Sequence, residues 1–153
     1  MAASNAKDGL ETLYFRHGEV KSKTEFKDHQ IHGTQQRYHL NGKLKSVIHY
    51  ERGIKNGTAV HYFESGALKH DAYYVKGKKQ GLHKSYSTTY RKPETSILDC
   101  ETRYENGKLH GIQTHYSSTE KLRSQTPFVN GTKHGIKKLY NELGKLKSEI
   151  PYS

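Results

Sequence analysis

The sequence is poor in several residue types that mark common protein classes. Its 153 residues include one cysteine, three prolines and no tryptophan. Because a single cysteine cannot form an intramolecular disulfide, we expect a reducing compartment. No stretch approaches the roughly 20 apolar residues of a membrane-spanning helix, and residues 1–8 lack the apolar segment of a signal peptide. These absences predict a cytoplasmic protein.

Acidic residues are also scarce relative to basic ones. The chain has 15 Asp and Glu against 26 Lys and Arg, a net charge of +11. A basic surface suits an acidic protein face, an anionic lipid or a nucleic acid. The charge has a second interpretation, in which it only keeps the protein soluble, because lysines on exposed strands oppose edge-to-edge aggregation.

Glycine and tyrosine recur with a fixed period. A glycine returns every 24 residues, apart from one step of 30, and a tyrosine follows each glycine after five residues. The glycines are Gly9, Gly33, Gly57, Gly81, Gly111 and Gly135, and the tyrosines are Tyr14, Tyr38, Tyr62, Tyr86, Tyr116 and Tyr140. Six copies of one unit therefore form a single repeat domain over residues 9–152, preceded by an N-terminal tail or cap at 1–8. Repeat arrays present extended surfaces.

Each unit contains two strand signals. Counting from the opening glycine as position 0, positions +11 to +17 alternate apolar or small residues with mostly charged ones, as in Leu44, Ser46, Ile48 and Tyr50. This alternation is typical of a half-buried strand. A shorter strand precedes it at +1 to +5, and glycine-containing turns separate the two. The sequence predicts an all-β fold, an elongated, open antiparallel meander of about twelve strands built from six 24-residue β-hairpins.

The repeat also predicts how the strands pair. We expect the tyrosine at +5 to lie opposite the aliphatic residue at +11, and the aromatic residue at +17 to lie opposite position +1 of the next unit. Two apolar rows would then run along the sheet, and tyrosine would supply most of a thin core.

The repeated motif resembles that of the MORN-repeat-variant family. Its pattern, Tyr-x-x-x-Gly-x-Leu-Lys followed by Tyr-x-x-Gly-Lys-x-x-Gly, stands here as Tyr38 to Lys45 and then Tyr50 to Gly57. Departures are the six-residue insertion in the fourth unit, Glu120 at a turn glycine, and His29 at another. The resemblance implies an open, twisted sheet of β-hairpins without shared catalytic residues. Stand-alone bacterial members look like antitoxin or immunity components, and eukaryotic relatives are associated with phospholipid binding and scaffolding.

The best candidate binding residues form a basic row at position +12, spaced about 10 Å apart along the sheet. The row comprises Lys21, Lys45, Lys69, Arg123 and Lys147, with Asp99 in the fourth unit. We expect it to face away from the aromatic rows, although it could equally be a solvated surface of the repeat. The insertion Thr89–Thr95 adds the interface-type residues Tyr90, Arg91 and Lys92, as a partner contact or as tolerated drift.

Catalysis and metal binding find little support in the sequence. Cys100 occupies the small-residue position +13, and no base is placed beside it. His32, His110 and His134 share one turn position in different units, so they would not converge on one ion. We predict no catalytic residues, no metal and no cofactor.

The favoured hypothesis is an antitoxin or immunity protein that blocks a cognate protein toxin by covering its acidic face. The alternative is a scaffold that binds anionic phospholipid through the basic row. Nucleic acid is disfavoured because Asp99 interrupts the row. Exposed terminal strands could also pair two copies into a homodimer.

Overall fold

The computed structural model describes residues 8–153, which form one antiparallel sheet of 15 strands and no helix. The strands are β1 Gly9–Tyr14, β2 Val20–Lys27, β3 Gln30–Tyr38, β4 Leu44–Glu51, β5 Ile54–Tyr62, β6 Leu68–Val75, β7 Lys78–Lys79, β8 Gly81–Thr89, β9 Lys92–Glu105, β10 Lys108–Leu109, β11 Gly111–Tyr116, β12 Leu122–Val129, β13 Thr132–Lys133, β14 Gly135–Tyr140 and β15 Leu146–Tyr152.

The long strands follow one another across the sheet in chain order. The short strands β7, β10 and β13 lie off this path and pair with β6, β9 and β12 next to the turns. The sheet is open, with β1 at one edge and β15 at the other. The predicted open all-β meander is therefore confirmed. The predicted N-terminal tail lies almost wholly outside the described residues.

Tight turns between units use left-handed backbone conformations. Arg52 and Gly53 have φ values of 48° and 77°, the pair of positive angles that matches hairpin twist. In the first unit Asp28 and His29 hold the corresponding angles, 50° and 62°. His29 therefore adopts a conformation that glycine adopts in the sister turns, and that costs a residue with a Cβ atom more.

One of the two predicted pairings is confirmed. Each +5 tyrosine lies opposite the +11 aliphatic residue of its unit, as Tyr38 does with Leu44. The other pairing is wrong. The +17 aromatic lies opposite the opening glycine of its own unit, as Tyr50 does with Gly33, and its neighbour on the next strand is Lys55. A glycine facing the ring leaves the aromatic side chain room to lie across the strand.

A β-bulge reconciles these two registers in every unit. Arg37 pairs with Ser46, but the next residue, Tyr38, pairs with Leu44, so Lys45 has no partner across the hairpin. The same shift recurs in the five other hairpins. A bulge leaves one residue unpaired and redirects its side chain. In each unit this residue is the one at +12.

The sheet has two distinct faces. The front face carries positions +2 and +4 of the first strand and +13, +15 and +17 of the second; the back face carries +3, +5 and +14. Paired residues define this division, because Ser46 lies opposite Arg37 and His61, whereas Val47 lies opposite Gln36 and Val60. Side chains of directly opposed residues share a face.

Most of the buried residues are small, and they lie mainly on the front face. Ala59 is 1 % exposed, Ser46 3 % and Thr24 4 %, although a single sheet has no second layer to cover them. Taller neighbours must therefore lean over them, so that these residues form the floor of a trough. The +5 tyrosines lie on the back face, and the two aromatic rows occupy opposite faces instead of one shared core.

Candidate binding surface

The +12 basic residues are all exposed and all occupy the unpaired bulge position. The expectation that they face away from the aromatic rows is wrong. Lys21 and Lys45 border the same surface depression as Phe26, which belongs to the +17 aromatic row. The bulge explains this, because it breaks the alternation that would otherwise send +12 to the back.

The structure groups the members of this row in pairs. Lys21 and Lys45 line one depression together with Arg37. Arg123 and Lys147 line another, which Asp99 also borders. Lys69 lies in the row between these two pairs. Lys21 and Lys45 therefore lie beside front-face residues, whereas the depression that Arg123 and Lys147 share also includes the +5 tyrosines Tyr116 and Tyr140.

The insertion in the fourth unit extends a hairpin and is not a loose loop. Thr89 pairs with Lys92, which leaves Tyr90 and Arg91 as the turn at the tip. The Ser65 hydroxyl donates to the Pro93 carbonyl at 2.6 Å, and so ties the extension to the preceding unit. Tyr90, Arg91 and Lys92 are all exposed, and the depressions described here are lined by other residues. The insertion residues and the basic row therefore form separate surfaces.

A second basic row borders the trough, and the sequence reasoning missed it. It lies two residues before the opening glycine, at Lys55, Lys79 and Lys133. Each ammonium group lies 4.7–5.1 Å from the ring centre of a +17 tyrosine, namely Tyr74, Tyr104 or Tyr152. Such cation–π contacts contribute about 0.5–1 kcal/mol at exposed sites. The signal in the sequence was the recurrence of lysine at this position.

Acidic side chains are distributed unequally between the two faces. On the strands, the front face carries Glu11 at +2, and Asp99 at a bulge borders it. The back face carries Glu25, Asp71, Glu101 and Glu149. The front face is therefore flanked by two basic rows with few carboxylates to neutralise them.

On the back face, the Glu101 carboxylate forms an ion pair and a hydrogen bond with residues of neighbouring strands. Lys84 Nζ lies 3.6 Å from a Glu101 oxygen, and the Tyr116 hydroxyl donates to the other oxygen at 2.8 Å. Burial, followed by this hydrogen bond, raises the pKa of Tyr116 to about 12. The Tyr140 hydroxyl makes the corresponding contact with Gln125 at 2.9 Å. Tyr116 and Tyr140 thus link neighbouring units through their hydroxyl groups.

A central depression of about 400 Å³ opens on the front face, and its lining includes four histidines and two tyrosines. The His61 and His70 rings stack with their centres 4.2 Å apart. His83 is buried, with its ring 4.7 Å from that of Tyr104. These histidines lie at +4, +13 and +2, which share the front face only because the register aligns them. Sequence reasoning considered other histidines and missed this group.

Burial and neighbouring cations lower the basicity of these rings. Desolvation, followed by His70 and Lys55, lowers the pKa of His61 to about 4. Desolvation, followed by Lys69 and Lys79, lowers the pKa of His70. The pKa of His83 is lowered by burial first and Lys79 second. These three imidazoles are therefore neutral near pH 7 and lie in a positive electrostatic environment.

Cys100 lies among these residues as a buried side chain, as expected for a packed small residue. Its sulfur lies 3.4 Å from the Thr102 hydroxyl and 3.7 Å from the His115 Nε2. Burial raises the pKa of the Cys100 thiol, which disfavours the nucleophilic thiolate.

Among residues 8–153, no group of three or more His, Cys, Asp or Glu side chains is arranged to hold a metal ion. The same part of the chain contains no helix with the length and apolar character to cross a membrane.

An open sheet of repeated hairpins with a basic trough defines a repeat protein that binds through its surface. The chain belongs to the MORN repeat variant family, whose pattern matches residues 7–28, 31–52, 109–130 and 133–153, more than half of the chain. Repeats of this type are general protein- and lipid-binding modules. No curated protein matches the chain.

The matched segments leave residues 53–108 uncovered. This central part contains His61, His70 and His83, together with the extended hairpin that ends at Tyr90. The central depression therefore lies largely in the part of the chain outside the matched segments.

Proposed function

We propose that this chain is an antitoxin or immunity protein that neutralises a protein toxin by covering an acidic surface of it. The observation that supports this most directly is the front face, where two basic rows flank a trough that carries few carboxylates. Complementary charge accelerates association and suppresses wrong partners. Steric cover also suits the architecture, because successive hairpins advance the row by about 10 Å and so reach across a wide surface.

Exposed aromatic and basic side chains would supply the anchors for this contact. Tyr90 is fully exposed at the tip of the extended hairpin, next to Arg91 and Lys92. Tyrosine and arginine are enriched among the residues that dominate binding energy. We therefore assign the partner two contacts, the basic trough and this tip.

The test is co-expression with the product of the adjacent gene, scored by co-purification and by rescue of growth. The charge-reversal variant K21E/K45E/K69E should weaken binding at least tenfold, because it replaces attraction by repulsion along the row. The matched control K27E/K76E/K108E changes the net charge equally at exposed lysines outside the row and should bind within about threefold of the wild type. Equal losses in both variants would contradict recognition by the row, and no binding to the neighbour's product would contradict the toxin assignment.

Anionic phospholipid is the second candidate, favoured by the linear and exposed arrangement of the +12 row. Each lysine near an anionic membrane contributes about 1 kcal/mol. Sedimentation with vesicles that contain or lack acidic lipid tests this function. Binding that requires acidic lipid and persists at physiological salt would favour it, and weak binding to both vesicle types would oppose it.

A further inference from the structure

The central depression combines features that point to a missing negative charge. Four groups act electrostatically on His61, namely His70, Lys55, Lys69 and Arg37, and all of them are cations or can become cations. None of these four groups is negatively charged, so none of them stabilises the protonated ring. The groups that act on His61 therefore create a positive field at this ring.

The neighbouring strands place further charged groups around the stacked pair. The groups that act on His70 and His83, or that line the depression beside them, are Lys55, Lys69, Asp71, Lys79, Lys84, Asp99 and His115. Asp71 raises the basicity of His70 and His83, but it lies on the back face and bonds the Lys84 amide at 3.1 Å. Cations therefore dominate the field above His61 and His70.

An unsatisfied atom lies in the same lining. The Nε2 of His83 is buried and lacks a hydrogen-bond partner among residues 8–153, while the residue as a whole is 7 % exposed. Buried polar groups without partners are uncommon in folded proteins. The surroundings of the depression thus combine four lysines with two carboxylates, an excess of positive charge, and the lining holds an unpaired polar atom.

We propose that an acidic side chain of a protein partner docks in the central depression, and that its capture is coupled to proton uptake by His61 and His70. This inference rests on the proposed function and identifies the part of the front face where the partner is anchored. A carboxylate beside the rings favours their charged form, and each ring that takes up a proton strengthens the contact with the carboxylate.

The shape of the site favours a protein segment over a membrane. The depression is recessed, because its lining includes Ala59, which is only 1 % exposed, and Lys79 and Lys84 border it. A flat bilayer surface would touch the rims alone, whereas an extended acidic segment can enter the trough.

Linkage gives the expected size of the effect. If the docked carboxylate returns the pKa of His61 from about 4 to its ordinary 6.5, affinity rises about fourfold between about pH 7.5 and pH 6. The sign follows because the bound state takes up protons that the free protein does not hold. A contribution from His70 acts in the same direction.

The experiment uses the full chain and a fluorescent deca-aspartate peptide, with deca-asparagine as the uncharged control, in about 150 mM salt. Anisotropy titrations at the two pH values should give the fourfold tightening for deca-aspartate and no binding of deca-asparagine. In H61Q/H70Q the affinity should become independent of pH. The matched control H134Q, which removes an exposed histidine outside the depression, should retain the wild-type pH dependence.

Direct titration of the histidine rings by NMR uses the wild-type protein, so this test does not depend on the folding of H61Q/H70Q. The His61 pKa should rise when deca-aspartate is added. An unchanged His61 pKa, no binding of deca-aspartate, or equal pH dependence in H61Q/H70Q would overturn the proposal. Tighter and equally pH-dependent binding to anionic vesicles would overturn the choice of a protein partner. The rescue assay uses the natural partner, so its outcome is read independently of all these results.

Discussion

At the scale of single residues, backbone conformation and side-chain chemistry make separate demands on the repeat. Glu120 occupies a turn position that four sister units fill with glycine, and its φ is 58°. Positive φ is sterically unfavourable for a residue with a Cβ atom, and this raises the free energy of the folded state. The fifth unit therefore stores local strain that its sisters avoid.

Replacing Glu120 by glycine should stabilise the protein. We expect E120G to raise the free energy of unfolding by about 1 kcal/mol, since glycine adopts positive φ without steric cost. Urea denaturation measures the change. The control E142G makes the same substitution in the equivalent turn of the sixth unit, where the glutamate does not have positive φ, and should give no stabilisation. Equal gains at both positions would show that removal of charge, and not backbone strain, is responsible.

The Tyr116 hydroxyl offers a spectroscopic test of the back face. With its pKa raised to about 12, Tyr116 should give a step near pH 12 in an ultraviolet titration of the folded protein. Its folded-state pKa exceeds the ordinary value of 10, so its contribution to stability is complete below pH 10 and is lost as the pH rises toward 12. Y116F should remove the step near pH 12. Persistence of that step in Y116F would assign it to another tyrosine, such as Tyr86, whose pKa burial and Asp71 also raise.

At the scale of the hairpin, strand positions could be predicted from the sequence but the faces could not. Alternation at Leu44, Ser46 and Ile48 identified the second strand, and glycines identified the turns. The bulge was hidden because alternation assigns every second residue to one face, and a single unpaired residue reverses that assignment. The predicted direction of Lys45 failed for this reason.

The histidine group was missed for a related reason. His61, His70 and His83 lie 9 to 22 residues apart in the sequence, and only the pairing of three strands brings them onto one face. Numbering the two strands of the hairpin against each other, so that +4 meets +13 and +2 meets +15, would have found them. That step requires the register, which the turn residues alone do not determine.

The extended hairpin makes a prediction at this scale. Deleting Thr89–Glu94 and changing Ser96 to glycine restores the length of the sister units. The sheet should persist, but the unfolding free energy should fall by about 1–2 kcal/mol, because two hydrogen bonds to the neighbouring unit are lost.

The double substitution S65A/S96A in the full-length chain is the matched control for this deletion. It removes the same two side-chain hydrogen bonds without shortening the hairpin, and should cost a similar amount by urea denaturation. A much larger loss in the deletion variant would mean that the extension supports the fold through other contacts. Weaker binding to the partner in the deletion variant alone would support the assigned contact at Tyr90.

At the scale of the whole molecule, the lowered pKa values of three histidines make stability sensitive to acid. In the folded state the pKa of His61 is about 4, whereas an unfolded chain binds the proton near 6.5. The unfolded state therefore holds more protons in this interval, and the free energy of unfolding must fall as the pH drops from 6.5 toward 4. His70 and His83, whose pKa values are also lowered, add to the effect.

Urea denaturation at several pH values across this interval tests the expectation. H61Q should show a shallower pH dependence than the wild type, and H134Q should match the wild type. Identical slopes in all three proteins would show that His61 does not titrate in this way. Deca-aspartate should protect the wild type more at the lower pH if the proposed site is occupied.

The unpaired residue of the β-bulge has a consequence for how such proteins diversify. A side chain at +12 makes no cross-strand pair, so its substitution leaves the hydrogen bonding of the hairpin intact. Six such positions, one per unit, can exchange sign or size while the scaffold stays constant, as Asp99 already does among the lysines. The array can therefore acquire a new binding preference through point mutations that leave its folding nearly unchanged.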